Sequence, residues 1–384
     1  MHIPNYNDGS IVNLSSSIMK AFGGRSPYKT LQSLDHSVLQ ESRNIMLMVI
    51  DGLGYDFVME YGRDSFFHDY LKDRITSVFP ATTASAITSL LTGLAPQQHA
   101  VTGWFVYLKE LGMISEILPF KPRVGSNSFV GMGVKPEDIF LHRSIFEKIK
   151  VQSYIVTGSD IINSAYNSYY GKRATKLPYK TLRGFLRQAK RAVRASSRRK
   201  FILTYWPGFD SLCHKFGPSS KKAKAHFKEL DRIVGDFSHS LQGTDTTLIV
   251  TADHGFLDND KAASILLKDH PDLGESLTLP LSGDARTIIC YVHPDRVDQF
   301  EGYIEDNLSH VCDIHRSEAL VERGLFGLGE PHPKLLERIG DYILIMRGGA
   351  VMRDVLKGEK WKKHKGDHSG VSSQEMYVPL IIWH

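Results

Sequence analysis

The chain lacks the features that would place it outside ordinary globular proteins. Among 384 residues it has three cysteines, Cys213, Cys290 and Cys312, widely separated and odd in number. That excludes a disulfide framework or a CxxC zinc motif and fits a reducing cytoplasm as the expected compartment. No apolar run approaches the ~20 residues of a membrane-spanning helix. The opening residues, Met1 to Lys20, lack a basic start followed by an apolar core, so no secretory signal is expected. No internal repeat or low-complexity linker is present. The excess of positive charge is mild, +5. It suits anionic partners such as phosphate esters but is too small and scattered to make nucleic acid the main partner.

What is present is a globular balance, 42% hydrophobic and 23% charged, which argues against disorder or coiled coil. Short apolar runs rich in β-branched residues alternate with amphipathic stretches. Buried strands are expected at Ile45–Ile50, Gln152–Thr157, Phe201–Tyr205, Thr247–Thr251 and Val378–Trp383. The alternation predicts an α/β fold with a doubly wound, mostly parallel central sheet flanked by helices. Ile11, Leu14, Ile18 and Phe22 recur at helical spacing, with Gly23-Gly24 as a stop, so residues 1–42 read as an extension with one helix packed on the core. Residues 104–145, rich in Gly, Pro and aromatics, look like a long excursion. Residues 281–346 run strand, helix, helix, strand and read as a small α+β insertion, which leaves 43–280 and 347–384 as the catalytic domain. The stretch Lys180–Lys200 pairs an apolar stripe with a basic one. It reads as a surface helix packed on the sheet, with a membrane-surface helix as the alternative.

Chemistry-bearing residues gather at the ends of expected strands, where open α/β sheets place their sites. Asp51 follows the first apolar run and precedes Gly52. Asp210 and His214 stand four apart, on one face of a helix. Asp253 and His254 end another strand, and His368 lies in the glycine-framed loop Gly366–Gly370. Three carboxylates and three imidazoles suit zinc or a similar divalent ion, and are enough for two ions with three protein ligands each. Two ions roughly 4 Å apart form a clamp for in-line phosphoryl displacement. The Pro80-Ala81-Thr82-Thr83-Ala84-Ser85 segment before an apolar helix supplies hydroxyls at a helix N-terminus.

The ordered motifs resemble the alkaline phosphatase superfamily, and within it the type I phosphodiesterase/nucleotide pyrophosphatase family. They are Val49-Ile50-Asp51-Gly52, Phe79-Pro80-Ala81-Thr82-Thr83, Leu91-Thr92-Gly93-Leu94, Asp210-Ser211 with His214-Lys215-Phe216-Gly217-Pro218, Thr251-Ala252-Asp253-His254-Gly255, and Gly366-Asp367-His368. The resemblance implies two Zn2+ ions, with Mn2+ as a substitute. Asp210, His214 and His368 would hold one ion. Asp51, Asp253, His254 and the Thr83 hydroxyl would hold the other. It implies Thr83 as catalytic nucleophile, with Thr82 in reserve, and a phosphothreonine intermediate on the way to cleavage of a phosphate diester or pyrophosphate bond. A small phosphate ester would be the substrate. Many members carry an Asn three residues after the nucleophile, where this chain has Ala86. Ser85 or a backbone N–H near Ala84 would replace its donor, and Arg286 is a candidate to face an anionic substrate. The alternatives are a phosphomonoesterase or phosphonate hydrolase of the same superfamily, and a non-catalytic anion or membrane-surface binder.

Overall fold

The computed structural model describes residues 1–359 and 363–384. Residues 360–362, within the stretch assigned above to the catalytic domain, lie outside the described residues. The central sheet has seven strands: β1 Asn44–Ile50, β2 Leu71–Thr76, β3 Gln152–Gly158, β4 Ala174–Tyr179, β5 Lys200–Trp206, β6 Thr246–Thr251 and β7 Tyr377–Trp383. Their spatial order is β2-β7-β6-β1-β5-β3-β4. β1 lies in the middle, parallel to β5 and β6, and β3 continues the parallel run to β4. β7 is antiparallel to both its neighbours.

All five expected strands form. β1 and β6 are buried along their whole length, because helices cover both faces of a parallel sheet, and so they read as unbroken apolar runs. β2 and β4 escaped the sequence reading. Both are edge strands, and their polar, partly exposed sequences, LKDRIT and ATKLPY, carry no apolar run to find. Charge and Pro178 on an edge strand also blunt pairing with another chain.

Helix α1, Ile11–Ala21, begins at a Ser10 and Asn13 capping box and packs against α2, Thr83–Thr92. It is buried except at Lys20, and its three serines all donate to backbone carbonyls, which makes a polar helix tolerable in the core. The N-terminal 42 residues hold a second short helix, His36–Glu41, beyond the single helix expected. Helix α3, Leu182–Arg194, packs on β3, β4 and β5, as the sheet-packed reading of the basic stretch required. Helix α4, Gly208–Phe216, follows β5.

The 281–346 segment contains the four expected elements, strand Thr287–Cys290, helix Val297–Leu308, helix Ser317–Glu322 and strand Tyr342–Met346, but a further strand, Cys312–Arg316, separates the two helices and pairs with Tyr342–Met346, and a short helix, Leu335–Ile339, precedes the last strand. It is not self-contained. Its sheet continues through Ser282–Gly283 into Phe105–Leu108, Met113–Glu116 and Lys121–Pro122, so the excursion and the insertion form one seven-stranded second sheet. The short pairing across Gly283 and Phe105 joins segments far apart in sequence, which no local pattern announces.

Candidate active site

The site is built at the carboxyl ends of β1, β5 and β6. Asp51 directly follows β1, and the chain then turns at Gly52, whose φ is +76°. A Cβ there would meet the Phe256 ring at 2.6 Å, so glycine is required. Asp210 and His214 sit one turn apart on α4. Asp253 and His254 follow β6, and His368 follows the short strand Gly366–Asp367. Thr83 is the first residue of α2.

The expected donors converge. His254 Nε2 lies 3.4 Å from Asp51 Oδ1, 3.6 Å from Asp253 Oδ2 and 3.2 Å from Thr83 Oγ1. Asp210 Oδ1 lies 3.4 Å from His214 Nε2 and 3.9 Å from His368 Nε2. The His254 and His368 rings stack at 3.6 Å and join the two groups. Each imidazole donates from Nδ1 to a backbone carbonyl: His214 to Gly366, His254 to Gly255 and His368 to Ala81. A carbonyl only accepts, so the proton sits on Nδ1 and the Nε2 lone pair faces the site.

The carboxylates are arranged in the same way. Asp253 Oδ1 accepts from the Gly52 and His254 N–H groups, and Asp51 accepts from the Tyr205 hydroxyl. The remaining oxygens, Asp51 Oδ1 and Asp253 Oδ2, and also Asp210 Oδ1, are buried with no hydrogen-bond partner. Three orphan oxygens and three oriented lone pairs are a donor set for hard or borderline divalent cations. The electrostatics agree. Burial, reinforced by the Asp253 and Asp210 charges, pushes Asp51 well above the carboxylate range. Burial pushes Asp210 to about 7, with His254 opposing the rise. Burial, with His254 and His214 nearby, holds His368 well below its ordinary value. Bound cations would relieve this crowding by replacing protons on the carboxylates. Asp210, His254 and His368 form one potential cation group and Asp51, Asp253 and His254 another. A third, His214, His364 and Asp367, already has a cation, since Arg353 Nη2 donates to both Asp367 oxygens at 2.7 Å.

Thr82 and Thr83 part company here. The Thr82 hydroxyl donates to Asp284 Oδ1 at 3.1 Å, while Thr83 faces His254. Thr82 is the N-cap of α2 but makes no side-chain cap, which leaves the first N–H groups of that helix without a capping side chain. Ser85 is fully buried and its hydroxyl has no partner; Ala86 is buried as well.

Arg286 does not face a substrate, which corrects that expectation. It is 1% exposed and donates Nε and Nη2 to Glu375 at 2.6 and 3.1 Å, and Nη1 to Ala350. A charged side chain is seldom buried, and Arg286 is buried because it is paired with Glu375. Sequence reasoning missed Tyr205 as a partner of Asp51, because a tyrosine at the end of an apolar strand carries no local signal of the carboxylate it will meet. It also missed Asp284, and the Arg353, Asn259 and His364 contacts on Asp367 behind His214. Asp367 within the Gly366-Asp367-His368 motif was the one available signal.

The family profile described as "Type I phosphodiesterase / nucleotide pyrophosphatase" matches residues 45–370. Ectonucleotide pyrophosphatase/phosphodiesterase family member 7 of Rattus norvegicus is 24% identical over 249 residues, 60% of this chain and 54% of that protein. The chain thus spans about half the length of the curated relatives it matches. Among solved structures, murine ectonucleotide pyrophosphatase/phosphodiesterase 5 superposes with a TM-score of 0.66 at 17% identity, over 88% of this chain and 87% of that one. An inactive threonine-to-alanine variant of that protein in complex with AMP gives 0.64 at 18% identity, over the same shares. Phosphonoacetate hydrolase from Sinorhizobium meliloti 1021, in complex with phosphonoformate, gives 0.65 at 18%, over 89% and 90%. At these identities the structural likeness establishes a shared fold.

Proposed function

The chain belongs to the type I phosphodiesterase / nucleotide pyrophosphatase family, and from that premise we propose that it hydrolyses phosphate diester or pyrophosphate bonds of small molecules through a phosphothreonine at Thr83. The observation that carries the reading is the position of the Thr83 hydroxyl, at a helix N-terminus and 3.2 Å from His254 Nε2, the same nitrogen that the orphan oxygens of Asp51 and Asp253 approach at 3.4 and 3.6 Å.

Asp210, His214 and His368 would hold one zinc ion, and Asp51, Asp253, His254 and Thr83 a second, with Mn2+ as a substitute. The ions would supply positive charge that lowers the pKa of a hydroxyl or water and neutralises phosphoryl oxygens. The protein does the rest. Thr83 Oγ1 forms a bond to phosphorus while the bond to the leaving oxygen breaks on the opposite side. Water then attacks the same phosphorus and releases Thr83. The uncapped N–H groups of α2 beside Thr83 are placed to donate to a phosphoryl oxygen. That answers the missing Asn at Ala86 better than the buried Ser85 does. The inactive threonine variant of the murine relative supports a threonine in this role.

The likeness to phosphonoacetate hydrolase keeps a second reading open, hydrolysis of a phosphonate or phosphomonoester. One experiment addresses both: metal analysis of the protein and of Thr83→Ala, with paired turnover of an aryl phosphodiester and an aryl phosphomonoester. The expected result is bound zinc in both proteins, diester turnover preferred, and a fall of at least ~10³-fold in Thr83→Ala. Full activity in Thr83→Ala would refute the covalent route, and preference for the monoester would favour the second reading.

A further inference from the structure

Between Asp160 and Asp210 the sequence contains twelve Lys and Arg and no Asp or Glu. Because the whole chain is only +5, everything outside this segment is net acidic. The fold collects the segment into one place. It comprises the edge strand β4, the loops flanking it, and α3, which packs on β3, β4 and β5. Two of the cations are structural. Arg199 donates to the carbonyls of Ser42, Ala21 and Leu39, and Lys200, the buried first residue of β5, donates to the carbonyls of Val193 and Ser196. The rest are on the surface. Arg183, Arg187, Arg191 and Arg194 of α3 are exposed and Lys190 is half-buried, while its apolar side is covered by the sheet. Lys172, Arg173, Lys180 and Arg198 extend the exposed charge to either side. Among the described residues none of these nine makes a salt bridge, whereas Arg232, Arg296, Arg316 and Arg347 elsewhere on the surface each pair with a carboxylate. Asp160, just beyond β3, and Asp210, on α4, are the carboxylates that bound the run in sequence. Like charges held together without counter-charges repel one another and attract an external polyanion.

A second feature borders this edge. Val130, Met132 and Leu141 are each more than half exposed, against the trend of the chain. They ride on a run of packed rings: Phe129 on Phe120, Phe120 on Phe140, and Phe140 on Tyr169, over which Lys172 lies at 4.6 Å. By contrast, the aromatics on and around α3 and β4, Tyr166, Tyr169, Tyr170, Tyr179 and Phe185, are buried, and the half-buried Trp206 stacks on Tyr179. Among the described residues of this edge no exposed aromatic offers a base-stacking platform, while apolar side chains suited to the acyl boundary border the cations at Lys172.

We propose that the β4 edge, with the basic face of α3 and the Val130, Met132 and Leu141 turn, docks the protein on a bilayer surface containing anionic lipid. The binding is peripheral: cations meet lipid headgroups and the three apolar side chains enter the boundary. None of these residues belongs to the candidate active site, so the inference stands apart from the hydrolase reading.

The test is co-sedimentation of the full chain with phosphatidylcholine vesicles, with and without phosphatidylserine, across a salt series. The expected result is binding only with phosphatidylserine, weakening as salt rises. Each cation removed should weaken it roughly fivefold, so Arg183→Ala/Arg187→Ala/Arg191→Ala should release the protein. Turnover of a soluble aryl phosphodiester by this variant should match the parent, which also shows that it is folded. Met132→Ser/Leu141→Ser should weaken vesicle binding while leaving its salt dependence unchanged. Equal binding to pure phosphatidylcholine, or no binding at low salt, overturns the proposal. So does duplex DNA that displaces the protein from vesicles at matched charge, or a Met132→Ser/Leu141→Ser variant that binds as well as the parent; either would assign the edge to a soluble polyanion.

Discussion

At the scale of single residues, the site depends on side chains that are each half satisfied. Asp51 illustrates this: one oxygen accepts from Tyr205 and the other is an orphan facing His254. Tyr205 fixes the carboxylate's rotation. Its own hydroxyl is held well above the usual phenol range by burial and by the Asp51 and Asp253 charges, so it remains a donor. Tyr205→Phe should therefore lower metal affinity or turnover by roughly 10–100-fold without unfolding the chain. A metal titration of the stripped variant against the parent reads this directly. Asp284, which accepts from Thr82 and from the Trp104 N–H, is pushed to about 6 by burial. Its folded value lies above the ordinary carboxyl value, so the stability it contributes is complete at low pH and is lost as pH rises toward about 6. Denaturation midpoints measured from about pH 4 to about pH 7 should fall less in Asp284→Asn than in the parent.

At the scale of elements, the loop that carries His368 is held from the second sheet. Glu375 accepts from Gly370 N–H and from Ser372, and Arg286 closes the arrangement from the strand side. The pair is fully buried, and removing one member strands the other charge. Arg286→Ala should cost about 3–5 kcal/mol in chemical denaturation. Because the same loop presents His368, the variant should also retain less metal than the parent at equal free metal. Unchanged stability would show that the ion pair does not organise this loop. Elements also show where local pattern is enough. The helix at Ile11–Ala21 and the five buried strands announce themselves by period or by apolar run. The edge strands Leu71–Thr76 and Ala174–Tyr179 do not, because solvent on one side removes the apolar constraint.

At the scale of the whole molecule, two sheets meet over the site. The central sheet supplies the donors, and the second sheet braces Thr82 through Asp284 and the His368 loop through Arg286. A cation bound there favours the folded state over the unfolded one. Stripping the metal with a chelator should lower the unfolding temperature. The loss should correspond to about 2.7 kcal/mol if the free ion had stood at a hundred times its dissociation constant, and zinc should restore it. A thermal scan of stripped, native and reconstituted protein checks this, and identical curves would speak against a resident metal. No helix among the described residues is long and apolar enough to cross a membrane.

The sequence by itself determined the donor inventory and its order along the chain. Asp and His directly after apolar runs are local patterns, and a strand end followed by glycine states its own geometry. It also determined the parallel α/β class, through strands too apolar to face water. Only the tertiary structure decided which donors meet. The Nε2 of His254 brings Thr83, Asp51 and Asp253 together, although Thr83 lies 171 positions from His254 and Asp51 lies farther still. It decided that Arg286 braces a loop instead of reading a substrate, because its partner Glu375 lies 89 residues away. It joined residues 105–122 to 281–346 in one sheet and gathered unpaired cations on one edge. The physical reason is the same in each case. Periodicity and caps are fixed by neighbours along the chain, whereas pairing, burial and charge balance are fixed by neighbours in space.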